Sequence, residues 1–209
     1  MTILTTTFQR TVLLLGLLSF LSGCVSWLAP KVENDVVKLK AGEYTLDKSH
    51  TTVLFKIQHL GLSTYVGRFN RFDASLDFDP ENPSNMQLQA SIDIDSLDIN
   101  NPDLKDDLMG RAWFNQSRYP NAVFTTQSVV ALSDNDFKFT GNLDWRGVVK
   151  PIELTVTFHG GANNILTQKY TLGFSAKGSF KRSDFGMDAY IPLVGDEINL
   201  EVFSEFQRK

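Results

Sequence analysis

The sequence predicts an all-β protein, an antiparallel β-barrel or β-sandwich of about eight strands with one short helix. The first observation is that apolar and polar residues alternate with a period of two almost everywhere from Gly42 onward, which is typical of half-buried antiparallel strands. The second is the number of such segments, because about eight strands with one apolar face each cannot form a single flat sheet with a dry face. The composition agrees, since 42% hydrophobic and 21% charged residues over 209 positions fit one globular domain with an N-terminal extra.

Residues 1–23 have the pattern of a bacterial lipoprotein signal peptide. Arg10 precedes the apolar run TVLLLGLLSFL, which is too short to span a bilayer comfortably. The tetrapeptide LSGC at 21–24 resembles the lipobox, in which the cysteine is linked to diacylglycerol and becomes an acylated N terminus after cleavage. Cys24 is the sole cysteine of the sequence, so an intramolecular disulfide is excluded. An ordinary secretory signal with a chance cysteine is the alternative.

Residues 24–41 are expected to be the lipidated cysteine and a tether, because VSWLAPKVENDVVKLKA has no clear periodicity. Three acyl chains on Cys24 would hold the protein on a membrane without crossing it. Val25 follows the cysteine in place of an aspartate, which by resemblance to enterobacterial sorting favours the outer membrane of a bacterial envelope, with the domain facing the periplasm. Cleavage would remove Arg10 and no acidic residue, taking the net charge from −4 to −5. An acidic chain without a Lys/Arg cluster is not expected to bind nucleic acid.

The barrel domain is expected at residues 42–209. In its opening strand, Val53, Phe55, Ile57 and His59 share one face, which is largely apolar and ends in a histidine. The same alternation returns in later segments, which we predict to be strands: FDASLDFD (72–79), MQLQASIDI (86–94), FKFTGNLDW (137–145), PIELTVTF (151–158), YTLGFSAKGSF (170–180) and INLEVFSEF (198–206).

One segment, NPDLKDDLMGRAWF (101–114), breaks the alternation and predicts a short helix. A proline stands near its start, acidic residues occupy the first turn, and Leu104, Leu108 and Ala112 recur every four residues. Asn101 is the expected N-cap. We expect this helix to plug or flank one end of the barrel.

The inward faces hold an unusual share of the sixteen phenylalanines, interspersed with alanine and glycine. A small barrel can be filled by its side chains or can enclose a ligand, and these residues leave both alternatives open. His50, His59 and His159 are not spaced to form a zinc site, and the sequence has no nucleophile elbow, phosphate loop or HExxH motif. The protein is therefore not expected to be an enzyme, and neither a metal nor a cofactor is expected.

Four segments together resemble one family. YTLDKSHTTVLFKIQHLGLSTYVGRF resembles its opening Y-x-x-D-x-x-H-S-x-V-x-F-x-V-x-H-x-G with a later G-x-F, and DLMGRAWFNQSRYPNAVFTT resembles its L-x-x-x-x-F-F-x-x-x-x-Y-P-x-x-x-F. GNLDWRGVVKPIEL resembles its G-x-L-x-x-x-G-x-x-x-P-x-x-L, and KRSDFGM resembles its R-x-D-F-G. The chain thus looks like a YceI-like protein, of the periplasmic polyisoprenoid-binding group, over residues 43–206. Thr51 and Trp113 depart from the family's serine and phenylalanine.

The resemblance implies an extended lipocalin-like antiparallel β-barrel that encloses one long amphipathic molecule. The implied ligand is a polyisoprenoid, a prenylated quinone or a fatty-acid derivative, and the lipobox marks an anchored version of a family that is usually soluble. The function expected is therefore capture, storage or presentation of a lipid in the cell envelope. An isoprenoid- or quinone-modifying enzyme and a structural envelope lipoprotein with a filled barrel are the alternatives. The oligomeric state is open, with a homodimer as one option.

Under this resemblance the inward residues become candidates for ligand contact. His59 is expected at the polar end of the cavity, His50 is expected to cap a turn or form a hydrogen bond, and Arg182 is expected to form an ion pair with Asp184 that closes a corner of the barrel. The candidate ligand-binding residues are Val53, Phe55, Ile57, His59, Phe69, Phe72, Leu88, Ile92, Phe139, Trp145, Leu154, Phe158 and Phe174.

Overall fold

The computed structural model describes residues 29–209, so the predicted signal peptide and the predicted lipidation of Cys24 lie outside the described residues. Within 29–209 the chain forms ten β-strands and one α-helix, α1 (Pro102–Met109). The strands are β1 (Gly42–His59), β2 (Ser63–Phe69), β3 (Phe72–Phe78), β4 (Gln87–Asp93), β5 (Leu97–Asp98), β6 (Asn121–Ala131), β7 (Asp136–Trp145), β8 (Val148–Asn163), β9 (Tyr170–Lys181) and β10 (Glu197–Arg208).

Eight of these strands close into an antiparallel barrel. The order around it is β1-β3-β4-β6-β7-β8-β9-β10, and β10 pairs back with β1. The two remaining strands, β2 and β5, extend the sheet from the second half of β1. The predicted fold is therefore confirmed, with two short additions to the eight-stranded barrel.

Strand β1 changes partner and face along its length. Its first residues pair with β3, whereas Val53 to His59 pair with β2. A bulge between Asp47 and Thr52 inserts extra residues, so the inward register passes from Tyr44 to Val53. An odd number of extra residues reverses which side chains face inward, because successive side chains in a strand point to opposite faces.

The barrel has two distinct ends. The mouth end carries the β1–β2 turn, the β7–β8 turn and the β9–β10 connection (182–196), with α1 beside them. The base end carries the β6–β7 and β8–β9 turns together with the start of β1 and the end of β10.

The base end is closed by a segment that the sequence analysis assigns to the tether. Glu33 and Gly161 exchange both backbone hydrogen bonds at 2.9 Å, which fixes the chain against β8. Val36 and Leu39 follow in and beside a short 3-10 turn and are each 4% exposed. The stretch that remains available as a tether therefore ends before Glu33, well short of Ala41.

Inside the barrel, aromatic rings pack against one another at the base end. The Phe158 ring lies 4.3 Å from that of Phe174, 5.0 Å from that of Phe137 and 5.1 Å from that of Phe78, measured between centroids. Edge-on and tilted arrangements at these distances are favourable for aromatic pairs. All ten strands and this core lie in one compact unit, Val32–Lys209.

Candidate ligand-binding cavity

Toward the mouth end the interior is open. A cavity of about 460 Å³ lies there, and a smaller one of about 150 Å³ adjoins it on the base side. The two share Ile92, Ala122, Leu143 and Leu200 in their walls, so they are neighbouring parts of one interior space. The larger volume lies within the range of small-molecule sites in proteins, and its wall is mostly apolar, as such sites usually are.

The structure brings most of the predicted residues together around this space. Phe55, Ile57, His59, Phe69, Ile92 and Trp145 line the larger cavity. Val53, Phe72, Leu88, Ile92, Phe139, Leu154 and Phe174 line the smaller one. Phe158 lines neither, because it belongs to the aromatic packing at the base. That these residues contact a ligand stays a prediction.

Helix α1, predicted as a short helix at one end of the barrel, lies at the mouth end and forms part of the wall of the larger cavity. The Asn101 side chain accepts a hydrogen bond from the Leu104 backbone N–H at 3.1 Å, and Pro102 is the first helical residue. A capping oxygen satisfies a backbone donor that has no partner inside the helix, and proline is preorganised for the first turn. Leu104 and Leu108, one turn apart, then point the same face of the helix into the cavity.

Arg182 is the main feature of the site that the sequence analysis missed. It is fully buried at the mouth end and lines the larger cavity. The predicted ion pair with Asp184 is wrong: the guanidinium donates instead to backbone carbonyls. The acceptors are Gly195 (2.7 Å), Met187 (2.8 Å), Ala189 (2.9 Å) and Val194 (2.9 Å). The alternation could have predicted that Arg182 faces inward, because Arg182 lies two residues after Phe180 and continues the inward register of β9.

These four hydrogen bonds fasten the loop 187–195 across the mouth end. Burial lowers the pKa of Arg182 below its ordinary value, and the carbonyl oxygens compensate the charge inside the barrel. The guanidinium carbon also lies 5.3 Å from the centre of the Trp113 ring, within reach of a cation–π interaction. Trp113 in turn stacks on Tyr190 of the loop, with 6.0 Å between ring centres.

His59 marks the point where the larger cavity meets solvent. Of the described residues that line this cavity, His59 is the one that is exposed. It bridges to Val194 in the Arg182-fastened loop. Tyr65 and Arg182 are the other titratable groups in this wall, and the Tyr65 hydroxyl donates to the Ile99 carbonyl at 3.1 Å. The titratable groups of the larger cavity thus lie toward the mouth end. The wall of the smaller cavity is mostly apolar and includes the polar side chains Thr51, Asp73, Ser91 and Ser204.

His50 lies outside the cavity, in the bulge of β1. Its Nδ1 is 3.0 Å from Asp47 Oδ2, and this hydrogen bond raises the pKa of His50. Hydrogen bonding, first of all from the Ser49 hydroxyl, lowers the pKa of Asp47 to about 2. With Glu205, these are the one group of three potential metal ligands within residues 29–209. Asp47 already accepts hydrogen bonds from Ser49 and from Gln207 Nε2, so its oxygens have protein partners.

No helix within the described residues is long and apolar enough to cross a membrane.

Fold and site together define a class: a closed antiparallel β-barrel of lipocalin-like fold with an apolar interior cavity. The model of the YceI-like domain family matches residues 44–206, so the chain belongs to the YceI-like family. Protein YceI of Salmonella arizonae is 34% identical over 79% of this chain and 86% of its own length.

Two solved structures share the fold. The BcnA protein of Burkholderia cenocepacia superposes with a TM-score of 0.70 at 23% identity, over 77% of this chain and 98% of its own. A polyisoprenoid-binding domain from Saccharophagus degradans superposes with a TM-score of 0.61 at 14% identity, over 79% of this chain and 98% of its own.

Proposed function

We propose that this protein is a binding protein that holds one long amphipathic lipid in the barrel interior. The ligand class proposed is a polyisoprenoid, a prenylated quinone or a fatty-acid derivative; the domain from Saccharophagus degradans that shares the fold is described as polyisoprenoid-binding. The observation that carries the proposal is the pair of adjoining, mostly apolar cavities of about 460 Å³ and about 150 Å³ inside a closed barrel. A structural protein with a filled barrel would have no need of such a space.

The distribution of wall residues supports an orientation for the ligand. His59, Tyr65 and Arg182 gather near the mouth, whereas Phe139 and Leu154 line the deeper part. A polar head group at the mouth can still form hydrogen bonds with side chains or water. An apolar tail in the deeper part has no polar group to be buried without a hydrogen-bond partner. The lipid therefore enters tail first.

The energetics suit a reversible carrier. A tail of about forty carbons would release some 30 kcal/mol on leaving water, at about 0.8 kcal/mol per CH₂, which exceeds what non-covalent binding reaches. Such a lipid starts in a membrane, however, and passes from one apolar phase to another. The net free energy of transfer can then be small, so the lipid can also be released.

We propose further that a lipidated Cys24 holds the barrel at one membrane of the bacterial envelope, on the periplasmic side and at the outer membrane. At most eight residues, 25–32, separate this cysteine from the fixed Glu33. Eight residues span roughly 28 Å when fully extended, which is too short to carry the barrel between two membranes. Capture, storage or presentation at one membrane follows.

A lipid-modifying enzyme is the rival function, because titratable groups border the cavity. The His59→Ala variant distinguishes a carrier from an enzyme. If the protein is a carrier, the variant still binds its lipid, and neither it nor the wild type shows turnover. If the protein is an enzyme, the variant still binds but loses turnover of a prenyl quinone or isoprenoid.

The first test is native mass spectrometry of residues 29–209 expressed in a bacterial periplasm, followed by organic extraction of what the protein carries. We expect one long-chain lipid or quinone per barrel. Ala122→Phe, which places a ring where the two cavities meet, should empty the barrel. The matched control is Ala131→Phe, an exposed position on the same strand. A folded wild-type protein that is empty and takes up no added prenyl lipid would contradict the proposal.

A further inference from the structure

Five large hydrophobic side chains are exposed around the mouth of the barrel. They are Leu60 and Leu62 in the β1–β2 turn and Tyr190, Ile191 and Leu193 in the loop fastened by Arg182; we call them the rim. Leu62 is 85% exposed and Leu193 is 56% exposed. Single exposed apolar residues are ordinary, but a contiguous group of them marks an interaction surface.

The two parts of the rim form one surface. The Leu60 backbone N–H donates to the Leu193 carbonyl at 2.7 Å, and the neighbouring His59 bridges to Val194. Since His59 is also the exposed residue of the cavity wall, the rim borders the opening of the cavity.

The rim carries no formal charge with histidine counted as neutral. The sequence has no Lys, Arg, Asp or Glu from 57 to 67, between Lys56 and Arg68, and none from 189 to 195, between Asp188 and Asp196. The two rim segments therefore offer apolar contact and no charged side chain of their own.

We propose that the rim inserts into the surface of a phospholipid bilayer and brings the cavity mouth to the acyl region. This inference rests on the proposed function, since a lipid that leaves a membrane for the cavity avoids water when the mouth is seated in that membrane. Tyr190, stacked on Trp113, adds aromatic rings with a polar edge, the kind of side chain that favours the membrane interface. Because the rim is uncharged, insertion should not need anionic lipids or low salt.

A lipid anchor on Cys24 would not replace this contact. Glu33 lies at the base end, where it pairs with Gly161 of β8, and β8 starts at the mouth end with Val148. At about 3.3 Å per residue and a strand tilt of about 40°, this separation amounts to roughly 30 Å of barrel height. The fully extended tether of residues 25–32 is about as long as this separation, so the anchor alone does not bring the mouth to the membrane, and the rim would supply that contact.

The test is flotation of residues 29–209 with phosphatidylcholine vesicles, at low and at high salt. We expect the wild-type protein to float with the vesicles equally at both salt concentrations. Leu62→Glu with Leu193→Glu should weaken vesicle binding by about tenfold or more, since two apolar side chains that would be buried in the bilayer are replaced by charged ones. The matched control is Leu166→Glu, at a residue that is 88% exposed in the β8–β9 turn of the base end, and it should bind like the wild type.

Three outcomes would overturn the proposal: no flotation with neutral vesicles, flotation that high salt abolishes, or equal loss in the Leu166→Glu control. So would sedimentation equilibrium that finds a wild-type dimer which Leu62→Glu converts to a monomer, because the rim would then cover a second copy. Native mass spectrometry of the same samples keeps the two proposals apart. An empty barrel that floats refutes the proposed function alone, and a lipid-filled barrel that does not float refutes docking alone.

Discussion

At the scale of single residues, the contact between His50 and Asp47 is the clearest electrostatic feature outside the cavity. The pKa of His50 lies above its ordinary value of 6.5, and that of Asp47 lies at about 2, below its ordinary 3.8. The raised pKa of His50 adds stability that is complete below pH 6.5 and is lost as the pH rises through the folded-state pKa. The lowered pKa of Asp47 adds stability that is present above pH 3.8 and is lost as the pH falls through about 2.

Asp47→Asn should therefore lower the pKa of His50, because the carboxylate that favours the charged imidazole is gone. An NMR titration of the His50 ring protons measures this directly, with Asp77→Asn on the outer face of β3 as the control. A His50 pKa that is the same in Asp47→Asn and in wild type would show that Asp47 is not its cause.

At the scale of elements, the β9–β10 connection depends on one side chain. Arg182 supplies donors to four carbonyls of the loop 187–195, and that loop closes the mouth end. Ser183 adds a second fastening, because its N–H and hydroxyl donate to the Asp196 carboxylate at 2.9 and 2.8 Å. The loop is thus held from its two ends, and Tyr190 is also held by its stacking on Trp113.

Arg182→Met should lower the free energy of unfolding by about 3 kcal/mol or more, because several buried carbonyls lose their donor. Urea unfolding followed by circular dichroism measures it, and Arg182→Lys, which keeps the charge but loses the planar donor geometry, should be intermediate. The control is Arg71→Met, which removes solvent-exposed pairs to Asp93 and Asp95 and should cost less than about 1 kcal/mol. Equal effects at the two arginines would refute the special role of Arg182.

At the scale of the whole molecule, the barrel interior is packed with side chains at the base end and open toward the mouth end. The base is sealed by Val36 and Leu39, which come from the chain before the first strand. This closure keeps water from the apolar interior at the end opposite to His59.

Val36→Ala should therefore destabilise the fold by about 2 kcal/mol, through lost burial and the cavity left behind. Val37→Ala is the matched control, since the same substitution one residue on affects a side chain that is 65% exposed and should cost under about 0.5 kcal/mol. The midpoints of urea unfolding of the two variants, compared where the unfolding transitions have equal slopes, measure this difference in stability. If both variants unfold at the wild-type midpoint, residues 33–39 are not part of the seal.

The strand alternation predicted the cavity wall well where the register is regular. On β10, the alternation in INLEVFSEF puts Ile198, Leu200 and Val202 on one face, and all three line the interior cavities. The alternation failed at β6, which we did not predict as a strand. A bulge between Thr126 and Ser128 shifts its register, so the pattern of period two breaks in the middle of the strand.

The sequence by itself therefore determined the class of fold, the inward residues of most strands and the capped helix, because each depends on neighbours a few positions away. Tertiary structure alone decided that the interior is open above and filled at the base, since free volume depends on how side chains from eight strands meet. It also decided that Arg182 serves carbonyls rather than Asp184, that residues 33–39 seal the base, and that the rim is one surface. The cavity, the seal and the rim each join groups that lie far apart in the chain, about which local pattern carries no information. The acceptors of Arg182 are only 5 to 13 residues away, but they lie in an irregular connection to which the period of two does not extend.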